Sequence, residues 1–488
     1  MQRETVTRNT AYLTASYVGQ KILSFFYFVM VARFIGVEDL GKYTFAFAFT
    51  TLFAVCVDLG FTSALIRESV RFIDKSSQYL SNVLWVKLGL GIIMYGVIVV
   101  LVNVMGYPEI TKQLVYISGV NMIFDQLSLT FWGLFRSHQN LKIESISVVI
   151  NQAIIVVVGL IVLFLKLPLV YLMLPFFCAS AFSLIYSGWS VRTKLRVKYW
   201  PTFDKEIIIF LLKLAAPFAL VAIFSRVYGH IDSIMLSKLA GDKAVGWYSV
   251  AMKIPVALQF IPAALAAAIF PAFSKHFVND KIQLKQTFDR VMKFLMMAVI
   301  PLSIGGALLA RPVILFFYGQ AFAPAILPLQ ILMLGLTFIF LNFPLGSLLN
   351  SCNRQVANTI LVGATMLMNI ALNVWLIPKY SFVGAATAFL FSHTFLFIAG
   401  MIVASRIIPY GKMSLIIDTF KSFISVTAMG FAIYFLRNLH FLFLIAIGVF
   451  VYFIVMFILR GLRMSDIEFF YQSIFKNNIH EKNIVGDN

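Results

Sequence analysis

Seven charged side chains lie inside long apolar runs, and they define the chemistry open to this chain. Four are cations, Lys21, Lys87, Arg226 and Lys253, and three are carboxylates, Asp58, Asp125 and Asp232. Lys and Arg hold anions through charge-assisted hydrogen bonds, and the Arg fork matches phosphate oxygens. A carboxylate in apolar surroundings either neutralises a cation or exchanges a proton or small metal ion. Each charge at a bilayer centre costs roughly 2.5–3.5 kcal/mol on insertion scales, so four uncompensated cations would cost on the order of 10 kcal/mol. Water, acids or an anionic ligand must offset that. Lys21 stands beside a polar stripe, Tyr12, Ser16, Gln20 and Ser24, at i, i+4 spacing, and Arg226, His230 and Ser233 share one helix face.

These residues divide into three expected roles. Lys21, Arg226 and Lys253 are read as anion-binding groups, with Lys87 and Arg67 as further candidates nearer a membrane surface. Gln20, Ser24 and His230 are read as polar lining. Asp58, Asp125 and Asp232 serve either as counter-charges or as ion- or proton-coupling groups. Catalytic machinery is not indicated: there is no HExxH, no DxD and no nucleophile constellation. Cys56, Cys178 and Cys352 are scattered through apolar runs without metal-type spacing, so no disulfide, metal site or cofactor is expected.

The elements that must carry these groups are transmembrane helices. Hydrophobic residues make up 61% of the 488 residues, charged residues 12%, and mean hydropathy is +0.91. Soluble domains run at about 45–50% apolar and about 25% charged. Fifteen prolines and helix-length apolar runs exclude an outer-membrane barrel, whose strands alternate over about 10 residues. The first apolar run is too long for a signal-peptide core and lacks a small-x-small site, so no cleaved leader is expected. At ~20 apolar residues per span, fourteen segments emerge: 10–35, 42–66, 80–104, 113–135, 145–165, 169–191, 207–237, 244–274, 291–310, 326–350, 356–377, 382–405, 414–436 and 440–459.

The net charge of +19 fits topology better than nucleic acid. With both termini cytoplasmic, the inner segments hold 24 Lys and Arg and the outer turns 9, as the positive-inside rule expects. The chain also repeats itself. A slide of 205 residues lays Gly36, Gly41, Tyr43 and Ala46 on Gly241, Gly246, Tyr248 and Ala251. It also lays Arg8 on Lys213, Lys21 on Arg226 and Arg33 on Lys238. Further along, Gly106 and Gly133 meet Gly319 and Gly346 at 213, and Pro168 meets Pro378 at 210. The expected architecture is all-α: a lobe at 1–191, a cytoplasmic linker at 192–206, a parallel copy at 207–405, helices 13 and 14 at 406–460, and a polar tail at 461–488. A pseudo-two-fold axis relates the six-helix lobes, and such repeats place a substrate site at their interface.

Gly36-Val-Glu-Asp-Leu-Gly41-Lys-Tyr43, followed by Asp58-Leu-Gly-Phe61, resembles the N-terminal signature of polysaccharide-type lipid flippases. These form the O-antigen-unit, Wzx-like branch of the multidrug/oligosaccharidyl-lipid/polysaccharide exporter superfamily. Later stretches are similar too: Asp232-Ser-Ile-Met-Leu with Gly241 and Val245-Gly-Trp-Tyr248, then Phe317-Tyr-Gly-Gln-Ala-Phe322, then Val383-Gly-Ala-Ala386. The resemblance implies a cell-membrane transporter, not an enzyme. It implies a polyprenyl-pyrophosphate-linked glycan as substrate, moved from the inner to the outer leaflet by alternating access, with H+ or Na+ coupling open. A monomer is expected, with polysaccharide assembly enzymes as partners to consider. A lipid II flippase shares these features. A cation-coupled drug exporter is disfavoured, because Lys21 stands where that branch carries an acid and none lies between Glu4 and Glu38. A glycan polymerase or ligase is disfavoured by the short external loops.

Overall fold

The computed structural model describes residues 2–200 and 202–461, and every regular element among them is helical. In order these are α1 (Gln2–Asp58), α2 (Phe61–Arg71), α3 (Ser76–Val104), α4 (Glu109–Ser137), α5 (Leu141–Phe164), α6 (Leu174–Lys194), α7 (Lys205–Ala240) and α8 (Asp242–Leu258). There follow α9 (Phe260–Asn279), α10 (Lys281–Leu308), α11 (Ala310–Tyr318), α12 (Ile326–Ser351), α13 (Gln355–Ser405), α14 (Lys412–Phe435) and α15 (Phe441–Ile458). Twelve runs are long and apolar enough to cross a membrane. Two of them, Tyr12–Arg71 and Gln355–Ser405, fold back on themselves, so the described residues make fourteen crossings. The expected tail at 461–488 lies, from residue 462 on, outside the described residues.

The fold-backs follow from side-chain contacts. In one straight helix Tyr27 and Tyr43 would stand ~24 Å apart, yet both rings lie against Phe176, with centroids at 6.4 and 6.3 Å. The reversal is at Gly36 (φ 80°, ψ −178°), a region open essentially to glycine alone. Its repeat mate Gly241 has φ 84° and ψ 173°, so the 205-residue repeat is written into the backbone. In α13, Asn358 approaches Gly346 while Gly400 packs on Leu345, and the reversal is at Ser381 (φ 50°).

Two expected spans are interrupted. The segment at 42–66 breaks at Leu59 (φ 41°) and Gly60 (φ 79°), and α2 begins afresh at Phe61. The segment at 244–274 breaks at Gln259, between α8 and α9. Proline on both sides, at 255 and 262, removes backbone donors there.

The chain forms two compact units, residues Met1–Val250 with Ile370–Phe382, and Ala251–Asn369 with Val383–Asn488. In the first, α4 is central, packed against α1, α3 and α6. In the second, α10 is central. Ser303 donates to the Met333 carbonyl at 2.5 Å, Tyr452 to the Met297 carbonyl at 2.9 Å, and the Gly411 N–H to Asp289 at 3.1 Å. Burial is inverted relative to a water-soluble protein. Thr365, Asn369, Asn373 and Ser392 are fully enclosed, whereas Phe435, Phe450 and Phe457 are largely exposed. Hydrocarbon solvates such an exterior, while inside Thr365 donates to the Leu361 carbonyl, Ser392 to the Ala388 carbonyl and the Asn373 amide to Asp232.

Candidate functional site

The interruption of the second crossing gathers Asp58, Thr62 and Lys87. A helix broken at membrane depth frees backbone groups that lipid cannot satisfy. Asp58, the last residue of α1, supplies the remedy. Its Oδ1 accepts from the Thr62 N–H at 3.3 Å and from the Thr62 hydroxyl at 2.5 Å. From α3, Lys87 reaches the same oxygen with its Nζ at 2.5 Å, the Thr62 Oγ1 at 2.7 Å and the Gln126 carbonyl at 3.4 Å. An ammonium has three protons, and here three oxygens take them. Lys87 is fully enclosed. In this geometry Lys87, expected as a further substrate-binding candidate, bridges the two halves of a broken span.

Lys21 and Arg226 are in the opposite situation. Both are exposed, and among the described residues neither has a hydrogen-bond or ion-pair partner. Each lies fifteen residues before its repeat-related glycine turn, at Gly36 and Gly241. Fifteen helical residues rise ~22 Å. The two turns meet directly, because a Cβ on Gly41 would stand 1.8 Å from the Asp242 carbonyl oxygen and one on Gly246 would stand 2.1 Å from that of Val37. Two helices starting from one level therefore carry these cations to about the same distance, ~22 Å, from the paired turns.

The remaining candidates are placed as follows. Gln20 and Ser24 flank Lys21 and are half-buried, as is His230 on α7. Lys253 is half-buried on α8. Arg67 is exposed at the end of α2, with its Nε 3.9 Å from the buried Glu68 carboxylate. Asp125 on α4 is exposed on its helix and accepts a 2.7 Å hydrogen bond from Ser180. Asp232 is buried and takes hydrogen bonds from the Tyr248 hydroxyl at 2.8 Å and the Asn373 amide at 2.6 Å.

One cluster was not legible in the sequence. Arg136, at the end of α4, grips Glu144 of α5 through Nε at 2.9 Å and a second nitrogen at 2.5 Å, and Tyr17 of α1 donates to Glu144 at 2.8 Å. Glu144 is fully enclosed. The clamp seats Tyr17 one helical turn from Lys21. Its only sequence signal is an arginine and an acid eight residues apart across a short loop, which many surface loops share.

Among the described residues no group of His, Cys, Asp and Glu is arranged to hold a metal ion. What remains is a pair of cations at matching distance from the paired turns on repeat-related helices, in a chain built for hydrocarbon. Fold and site together define a multi-pass membrane transporter of the multidrug/oligosaccharidyl-lipid/polysaccharide exporter superfamily. The chain belongs to the polysaccharide biosynthesis protein family, whose model matches residues 6–277. A second model, MatE, matches residues 217–375.

Individual relatives agree with that placement. The chain is 22% identical to the capsular polysaccharide biosynthesis protein CapF of Staphylococcus aureus, over 78% of this chain and 94% of that one. It is 23% identical to a putative O-antigen transporter of Shigella flexneri, over 73% and 87%. Among solved structures, the lipid II flippase MurJ in an inward closed conformation superposes with a TM-score of 0.75 at 19% identity, covering 95% of this chain and 99% of that one.

Proposed function

We propose that this protein flips a polyprenyl-pyrophosphate-linked oligosaccharide from the inner to the outer leaflet of the cell membrane, for cell-surface polysaccharide biosynthesis. The observation that carries the reading is the matched pair Lys21 and Arg226, exposed and without partners among the described residues. Two cationic side chains at one level suit a pyrophosphate. The glycan needs hydrogen-bonding surface, for which Gln20, Ser24 and His230 are at hand, and the lipid tail can stay in the bilayer. Lys253 and Arg67 complete the cationic set. Lys87 is left out, because Asp58, Thr62 and Gln126 occupy its protons.

In this reading lobes 1–191 and 207–405 rock about the bound headgroup, and both termini are cytoplasmic. Asp125 and Asp232 are the candidates for H+ or Na+ coupling, since Asp58 is ion-paired with Lys87 whereas the hydrogen bonds Asp232 takes from Tyr248 and Asn373 come from neutral donors. Exporting an anion from a negative interior gains ~2.3 kcal/mol per charge per 100 mV, so the membrane potential can contribute to the driving force.

The test is native mass spectrometry of the purified protein with a polyprenyl-pyrophosphate oligosaccharide, its monophosphate and a cationic drug. Wild type is expected to prefer the pyrophosphate, with Lys21→Ala and Arg226→Ala each weakening it about tenfold or more, the loss of a charge-assisted hydrogen bond of ~1.5–3 kcal/mol. Drug binding with indifference to the lipid would overturn the function. Lipid binding unchanged in both variants would overturn the site.

A further inference from the structure

The linker between α6 and α7 is not a free strand. Ser77 donates to the Lys198 carbonyl, the Trp200 N–H to Ser81 Oγ at 3.4 Å, and the Asp204 N–H to Asn82 Oδ1 at 2.6 Å. Tyr199 packs on Phe131, with ring centroids at 5.0 Å, and Arg192 stacks over Tyr199 at 4.6 Å. Lys198, Trp200 and Asp204 are thereby stitched along the first two turns of α3, beside the α2–α3 turn. Two stretches 120 residues apart in sequence become one surface.

That surface has an unusual composition. From the α2–α3 turn come exposed Arg71 and Lys75 with Phe72 at 51% exposure; from the linker come exposed Lys198 with Trp200 at 74% and Phe203 at 67%. Lys75 Nζ sits 5.8 Å from the Phe72 ring centre. Arg71 is the last residue of one candidate span and Lys75 lies in the first turn of the next, while Phe72, Lys198, Trp200 and Phe203 fall between spans. A patch of large rings left in water has no purpose, and a purely basic patch would need no rings. Aromatic side chains beside Lys and Arg at a span end are the composition of a membrane–water interface, and clustered bases there attract anionic lipid headgroups.

We propose that the stitched α2–α3 turn and α6–α7 linker form a recognition surface for anionic phospholipid headgroups, with Arg71, Lys75 and Lys198 holding phosphate and Phe72, Trp200 and Phe203 seated at the headgroup–acyl boundary. Charge complementarity selects the partner: exposed Arg71, Lys75, Arg196, Lys198 and Lys205 outnumber exposed Asp74, Asp204 and Glu206, and Glu68, 3.5 Å from Arg71, is enclosed. The ordered hydrogen bonds of the linker make the surface preformed, so little chain entropy is lost on binding.

The experiment uses the full chain in detergent, exposed to equimolar phosphatidylglycerol and phosphatidylcholine and read by native mass spectrometry. Wild type is expected to retain phosphatidylglycerol preferentially. Each base near the surface contributes about 1 kcal/mol, roughly fivefold, so Arg71→Gln with Lys75→Gln and Lys198→Gln should reduce the preference on the order of 100-fold. A control, Lys275→Gln with Lys281→Gln and Lys285→Gln, removes the same charge from another stretch and should keep the preference. Trp200→Ala with Phe203→Ala should weaken retention of both lipids alike. Equal retention of the two lipids by wild type would overturn the proposal, as would equal loss in the two charge variants. Loss of preference only on adding a soluble protein partner would assign the surface to that partner instead.

Discussion

Gly41→Ala and Gly246→Ala test the repeat contact at its tightest point. A Cβ at 41 would stand 1.8 Å from the Asp242 carbonyl oxygen, and one at 246 would stand 2.1 Å from the Val37 carbonyl oxygen. The obstacles are backbone atoms, so no side chain can swing aside. Restoring ordinary van der Waals separation requires the two turns to part by about 1.5 Å. Overpacking of this kind typically costs about 1–3 kcal/mol. The nearby Lys243–Glu38 ion pair, at 3.8 Å between exposed groups, is of the class worth at most about 1 kcal/mol, so it cannot hold the turns together alone. The repeat adds a sharper expectation. Val37 and Asp242 are themselves 205 residues apart, so both clashes are relieved by one and the same separation. The double variant should therefore cost little more than either single one, about 1–3 kcal/mol in place of twice that. Denaturant titration of the purified protein in detergent measures the cost. Labelling of Glu38→Cys by a water-soluble maleimide, with the three native cysteines replaced, measures the parting. Either glycine variant at wild-type stability and labelling, or strict additivity in the double, would refute the shared backbone contact.

Three further outcomes follow from the polar clusters. Lys87→Met leaves Asp58 as an uncompensated charge at a helix break and should cost about 3–5 kcal/mol. Adding Asp58→Asn should recover part of that, and a double-mutant cycle in denaturant reads the coupling. Tyr17→Phe removes one hydrogen bond to the enclosed Glu144 carboxylate and should cost about 1.5–3 kcal/mol, measured as a lowered unfolding midpoint, whereas Tyr171→Phe on the exposed surface should change nothing. Asn373→Ala, which takes a donor from the buried Asp232, should destabilise by about 1–3 kcal/mol, and Asn373→Asp should be worse, because it sets a second carboxylate against the first.

Much of the fold could be read from the chain alone because its determinants are local. Hydropathy is summed over some twenty neighbours and needs no partner, so the crossings were available from composition, while the transport class came from the motif resemblance around Gly36–Tyr43 and Asp58–Phe61. The interruptions at Leu59–Gly60 and Gln259 were not. Their flanks are as apolar as any span, and only a partner such as Lys87 makes a break at 59–60 tolerable in hydrocarbon.

The sequence by itself determined the solvent, the number of crossings and the two turns at Gly36 and Gly241, since a backbone with φ near +80° and ψ near 180° admits little but glycine. Tertiary structure decided which charges are spent and which are free. Asp58 closes on Lys87, Glu144 is claimed by Arg136 and by Tyr17, 127 residues away, and Asp232 by Tyr248 and Asn373, 141 residues away. Lys21 and Arg226 keep their charge exposed. The reason is physical: a Coulomb or hydrogen-bond energy depends on the distance between two groups, and for residues far apart in the chain that distance is set by packing.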